Sequence, residues 1–137
     1  MAFLLKQDLI NLAILAEELA EITRRDDTII TAACSSAISE MTIHLHDSYD
    51  TDTIFTRTGT GRHQLLLQLG ADIAVWTIAA RCQAGINLDD REARYKRAVA
   101  TLKAFEKSET YADLPRRVKP IQEHVTFRSN PKRTNYY

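Results

Sequence analysis

Residues 62–84 read RHQLLLQLGADIAVWTIAARCQA. Set on a helix of about 3.6 residues per turn, Leu65, Leu66, Leu67, Leu69, Ile73, Ala74, Val75, Trp76, Ile78 and Ala79 leave almost no polar face. A helix that is apolar all round must be covered all round, so this one is predicted to lie at the centre of a helical bundle. Its most apolar part, residues 65–80, is interrupted by Gln68, Asp72 and Thr77, and reads as too short and too polar to span a bilayer. Asp72 is the unusual residue. A carboxylate in the middle of an apolar helix is costly unless it is paired, so it is expected to pair with Arg94 or Arg97 of the next helix, or to face a neighbouring subunit.

The flanking segments supply the cover. On one side, residues 6–24 repeat Leu9, Leu12, Ala13, Ala16, Leu19 and Ile22 at helical spacing. A second helix starts at Asp26 or Asp27, either of which can cap its first turn, and runs to about His46 with Ile30, Cys34, Ala37, Ile38, Met41 and Leu45 inward. Residues 47–61 are dense in Asp, Thr and Gly, have no helical period, and read as a loop anchored by Ile54 and Phe55. On the other side, Gly85 fits the position just past a helix end and Asn87 with Asp90 fits a helix start. The helix that follows, to about Lys107, turns Tyr95, Ala98, Val99, Leu102 and Phe105 inward and Arg91, Arg94, Arg97, Lys103 and Lys107 outward. After Thr110 the period is lost, Pro115, Pro120 and Pro131 punctuate the chain, and Val125-Thr126-Phe127 reads as a short strand. The predicted fold class is all-α: a small bundle of about four helices (residues 1–113) with a long connecting loop and an extended C-terminal arm (residues 114–137).

Charge divides along the same line. The chain has 18 basic and 18 acidic residues. Six of the basic ones (Arg116, Arg117, Lys119, Arg128, Lys132 and Arg133) and one acidic one (Glu123) lie after residue 113, so the arm stands at +5 and the body at −5. Such asymmetry marks a tail that meets an acidic surface. The two cysteines, Cys34 and Cys82, form no C-x-x-C pair and fall on apolar faces, as expected of free thiols in a reducing compartment. The first residues lack the pattern of a signal peptide, so folding in a cytoplasm is expected.

Residue sets that could carry chemistry are few. His44, His46, Asp47, Asp50 and Asp52 are metal-ligand types, but two histidines two apart point in different directions on a helix, and Asp50 and Thr51 serve more simply in side-chain-to-backbone turn bonds. Gly59-Thr60-Gly61-Arg62 lacks the Gly-Lys-Ser/Thr ending of a phosphate loop. No Ser-His-Asp or Cys-His set is evident. The chain is therefore expected to be no enzyme and to have no catalytic, cofactor or metal site.

One resemblance gathers these segments. Thr23–Asp27, Tyr49-Asp50-Thr51 with Phe55, Leu65-Leu66-Leu67 with Asp72-Ile73-Ala74 and Trp76, and Arg94-Tyr95 with Ala98 and Leu102-Lys103 follow in order over residues 3–115. In this series the chain resembles a family of Mu-like phage structural proteins related to head–tail connectors, the adaptors between portal and tail. It departs from that pattern at Lys6, Ser48 and Lys107-Ser108-Glu109. The resemblance implies a virion neck protein, made in the bacterial host cytoplasm. It would form a ring with copies of itself, bind the portal protein and a downstream neck or tail protein, and touch channel DNA non-specifically, with no membrane and no cofactor. The candidate contacts are Tyr49, Asp50, Thr51 and Asp52 in the turn and Asp72 in the central helix. In the arm they are Arg116, Arg117, Lys119, Phe127, Arg128, Lys132, Arg133, Tyr136 and Tyr137. Two other classes compete: a small DNA-binding regulator that uses the basic arm, and a metal-dependent enzyme at the His44–Asp52 cluster.

Overall fold

The computed structural model describes residues 2–82, 88–107 and 113–118. Among these residues it has six α-helices, one 3-10 turn and no strand: α1 (Lys6–Leu12), α2 (Ala16–Ile22), α3 (Asp27–Leu45), α4 (Thr51–Thr56), α5 (Gln64–Cys82) and α6 (Leu88–Glu106). The chain is an all-α bundle, as the apolar periods predict.

The segment quoted first is α5, and it is the core. Leu66, Leu67, Leu69, Gly70, Ala71, Ile73, Ala74, Val75, Ile78 and Ala79 are all buried on it. By length and composition alone this helix could cross a bilayer. Its apolar surface is instead taken up by α3, α6 and α1, which pack along three sides. Full burial of each large apolar side chain stabilises by about 1.5–3 kcal/mol relative to exposure. Gly70 permits the close approach of α3: a Cβ there would stand 2.9 Å from Met41 Cε and 3.3 Å from Leu4 Cδ2. α5 and α6 run antiparallel, with Trp76 stacked on Tyr95 at one end, ring centroids 5.9 Å apart, and Leu65 and Thr101 lining one surface towards the other.

Two expectations need correction. The single helix over residues 6–24 is two. The amides of Ala13 and Ile14 both donate to Leu9 O, at 2.9 and 3.0 Å, which closes α1 and lets Ile14 turn into the core while Leu15 turns out. No Gly or Pro marks this break. The second correction concerns residues 47–61, where the chain folds α4 and a 3-10 turn at Gly59–Gly61. Asp50 caps α4, accepting from Thr53 N at 3.3 Å and Thr53 Oγ1 at 2.6 Å. Ile54 is buried and Phe55 meets Phe3 edge-to-face at 5.1 Å, so the two expected anchors do hold this segment to the core.

The turn from α2 to α3 uses backbone that side chains seldom adopt. Arg24 and Arg25 have φ of 53° and 61°, in the left-handed region that favours glycine. Arg25 N donates to Ala20 O at 2.9 Å, closing α2, and Asp26 then caps α3 through Thr28 N at 3.0 Å. The expected helix end at Gly85 and helix start at Asn87 fall within residues 83–87, and the expected strand at Val125–Phe127 within 119–137; both lie outside the described residues.

One polar knot closes the base of the bundle. Arg62, just ahead of α5, donates through Nη1 and Nη2 to the Asp8 carboxylate at 2.6 and 3.1 Å. It also bonds Phe3 O at 2.8 Å and Gly59 O at 2.9 Å. Asp8 in turn accepts from Leu5 N at 2.8 Å, and so caps α1. The two side chains are 13% and 11% exposed, so the pair is nearly dry. Removing one partner of a buried pair leaves the other charge uncompensated. Asp8→Ala is therefore expected to lower the unfolding free energy by about 3 kcal/mol, read from the midpoint of a urea titration followed by circular dichroism.

Candidate interaction site

The sequence offers two contact regions, the Tyr49 turn and the arm, and the structure brings the root of the second onto the first. Asp50 N donates to Pro115 O at 2.9 Å and Arg117 N donates to Ser48 O at 3.1 Å, forming a single antiparallel bridge between Tyr49 and Arg116. The Arg117 guanidinium adds a bond to His46 O at 3.2 Å. Arg116 lies over the Tyr49 ring, 5.8 Å from its centroid. Leu114 packs against the core. Tyr49 itself is only 2% exposed. That corrects its reading as a surface contact: its ring is an internal anchor on which the arm root rests. Asp52 is exposed on α4 and Thr51 is partly exposed. Asp50 is occupied as the cap, and its hydrogen bonds from Thr53 hold its carboxyl below the usual range. The remaining arm candidates, Lys119, Phe127, Arg128, Lys132, Arg133, Tyr136 and Tyr137, lie outside the described residues.

The histidine and aspartate cluster is dispersed by the fold. His44 Nδ1 contacts Glu106 Oε2 at 2.9 Å, tying α3 to α6, whereas His46 Nδ1 contacts Asp47 at 3.0 Å on the surface. Among the described residues no group of three His, Cys, Asp or Glu side chains could hold a metal ion.

Asp72 does not form the expected ion pair with Arg94 or Arg97. Its hydrogen-bond partner is Gln68, one turn earlier, at 3.3 Å, while Arg94 pairs with Asp90 at 3.5 Å on its own helix. Loss of water pushes the Asp72 carboxyl above its ordinary range, against the opposing pull of the Gln68 hydrogen bond and of Arg94 and Arg97 nearby. It sits between two clefts. One, of about 180 Å³, lies where the α1–α2 turn meets the first turn of α6 and is lined by Leu15, Glu18, Asp72, Val75, Asp90 and Arg91. The other lies along α5 and α6, between Leu65 and Arg97.

Arg91 is the residue that the sequence reading put on the wrong face. It is buried, with its side chain 9% exposed, and forms a short ion pair with Glu18 of α2. Its Nε and Nη1 are buried and have no hydrogen-bond partner among the described residues. The signal was present, since Arg91 continues the inward spacing of Tyr95, Ala98, Leu102 and Phe105 by one further turn. Tyr95, next along that stripe, donates to Glu40 at 2.8 Å and so joins α6 to α3.

No family model matches the chain, and no curated protein or solved structure matches it either.

Two outcomes follow from these environments. Because burial raises the Asp72 pKa in the fold, its neutral form is favoured there, and the stability it contributes is present at low pH and lost as pH rises through its folded value. Asp72→Asn is thus expected to raise the melting temperature at neutral pH, with the gain fading as the pH falls below the ordinary carboxylate range. For the thiols, burial with the nearby Asp8 charge pushes Cys34 up to about 11, while Cys82 is partly exposed. Ellman's reagent at pH 8 is expected to titrate Cys82 rapidly and Cys34 only with unfolding.

Proposed function

We propose that this protein is a structural component of a tailed-phage virion, a head–tail connector that joins copies of itself into a ring at the neck between portal and tail. The observation that supports this best is the division of labour in the chain. An acidic, all-helical body holds the root of a basic arm at one end, against Tyr49, and nineteen further residues extend from Val118. A helical body with its own buried core and a long charged extension suit assembly by docking better than catalysis. The resemblance of Tyr49-Asp50-Thr51, Asp72-Ile73-Ala74 and Arg94-Tyr95 to the Mu-like phage family points the same way.

In mechanism, subunits join head-to-tail through a heterologous interface, which closes into a ring when the rotation per subunit allows. The ring docks on the portal and presents a surface to the next neck or tail protein. Ordering the arm on its target costs conformational entropy and gains specificity. The basic residues of the arm can also meet the phosphates of channel DNA, a contact that weakens as salt rises. Synthesis takes place in the bacterial host cytoplasm, before incorporation into the virion.

Because Arg116 and Arg117 belong to the bundle, the informative truncation is after Val118. That variant is expected to keep its helical circular dichroism and its melting temperature and to fail in neck assembly, seen as tailless heads by electron microscopy after complementation of the parent phage. Normal particles would reject the assembly role of the arm. Tight, salt-dependent binding of the intact chain to duplex DNA, with no trace of it in purified necks, would favour the regulator instead.

A further inference from the structure

We propose that the acidic cleft beside Asp72 receives the basic arm of a second copy of this chain. The proposal rests on the connector reading for the presence of a neighbouring copy, and it names the receptor for the arm.

The cleft is lined by three carboxylates, Glu18, Asp72 and Asp90, and two guanidiniums, Arg91 and Arg94. Its two sides, α2 and the first turns of α6, carry Glu17, Glu18, Glu21, Asp89, Asp90 and Glu92. The cations beside them are engaged: Arg91 on Glu18, Arg94 on Asp90, and Lys96 on Glu92 at 2.8 Å. Glu17, Glu21, Asp89 and Asp72 have no ion-pair partner among the described residues. Of the carboxylates that line the cleft, Glu18 and Asp90 are paired and Asp72 has no ion-pair partner among the described residues. Inside it, Arg91 is nine-tenths buried, and its Nε and Nη1 have no acceptor among the described residues. A buried donor left unbonded destabilises the fold. A peptide supplies what is missing: a cationic side chain for Asp72 and the acidic rim, and main-chain carbonyls for Arg91. Leu15, 74% exposed at the rim, offers an apolar contact to an aliphatic or aromatic residue beside the cation.

Charge selects the occupant. Past Val118 the arm has Lys119, Arg128, Lys132 and Arg133 against Glu123, a net +3 opposite in sign to the acidic body, and it sets Ile121, Val125 and Phe127 among these cations. Placement selects the copy. The arm is rooted at Ser48–Asp50, between α3 and α4, and Leu114 and Pro115 share a surface with Gln64 at the start of α5, whereas the cleft lies at Val75, roughly 16 Å further along α5. The nineteen residues after Val118 can extend to roughly 60 Å, enough to leave one body and reach the next. An arm at one end and its receptor towards the other make a head-to-tail contact, the kind that closes into rings.

The test is zero-length carbodiimide cross-linking of the full chain, with equal amounts of unlabelled and nitrogen-15-labelled copies. Peptides are read by mass spectrometry. The expected result is that Lys119 or Lys132 links to Asp72, Asp90 or Glu18 in pairs of mixed isotope. The yield of these pairs falls severalfold when salt is raised from about 0.01 M to about 1 M, shortening the screening length from about 30 Å to about 3 Å. Asp72→Asn, expected to keep its helical circular dichroism, is expected to cut the mixed links at Asp90 and Glu18 severalfold as well. Links only within one isotope would show the arm returning to its own cleft and would overturn the second copy as occupant. Links to carboxylates elsewhere, or none, would overturn the cleft as receptor. Neither outcome bears on whether the chain is found in phage necks, so the two readings fail separately.

Discussion

The bundle is organised by the need to cover α5 on every side. A helix with ten buried positions cannot lie on a surface, and a chain of this length has few elements with which to enclose it. Three helices do so, and each is held in place by a polar contact at its margin. Asp8 and Arg62 fix α1 to the entrance of α5; Glu40 and Tyr95, with His44 and Glu106, fix α3 to α6; Glu18 and Arg91 fix α2 to α6. The apolar burial stabilises the bundle, whereas these pairs choose among the ways in which similar apolar stripes could pack.

Helices whose whole length faces the core were legible in the sequence, because their periods are set by burial. The expected bounds of α3, α5 and α6 fall within about two residues of those observed wherever the residues are described, and Asp26 caps as its residue type suggests. What escaped the sequence was set by contacts distant along the chain. The break between α1 and α2 keeps the apolar period on both sides and has no Gly or Pro to announce it. The helix α4 is six residues long, too short for a period, and depends on Asp50 and on the landing of Ile54 and Phe55. Asp72 kept Gln68 as its neighbour because Arg94 found Asp90 on its own helix, a choice that residue types alone do not decide.

The candidate site was legible as two separate regions and not as one. Tyr49 was expected as a contact residue of a polar turn, and only the fold shows that the ring points inward and that the returning chain covers it. The same folding moves Arg116 and Arg117 from the arm to the body. It leaves Asp72, Arg91 and Leu15 together at a cleft that no local motif announces, since they come from two helices and a turn far apart in sequence. A site assembled in this way has geometry but no spacing rule, which is why pattern reading found its members one at a time or missed them.

The arm root has a mechanical consequence. Asp50 and Arg117 donate across the bridge from opposite strands, so a pull directed along the arm loads both backbone bonds in shear, and they must yield together. The force then passes through Tyr49 to the end of α3 and the start of α4, and not to the end of α6, from which the chain has just come. Tension on the arm is thus borne by the interior of the bundle, with the buried tyrosine as its fixing point.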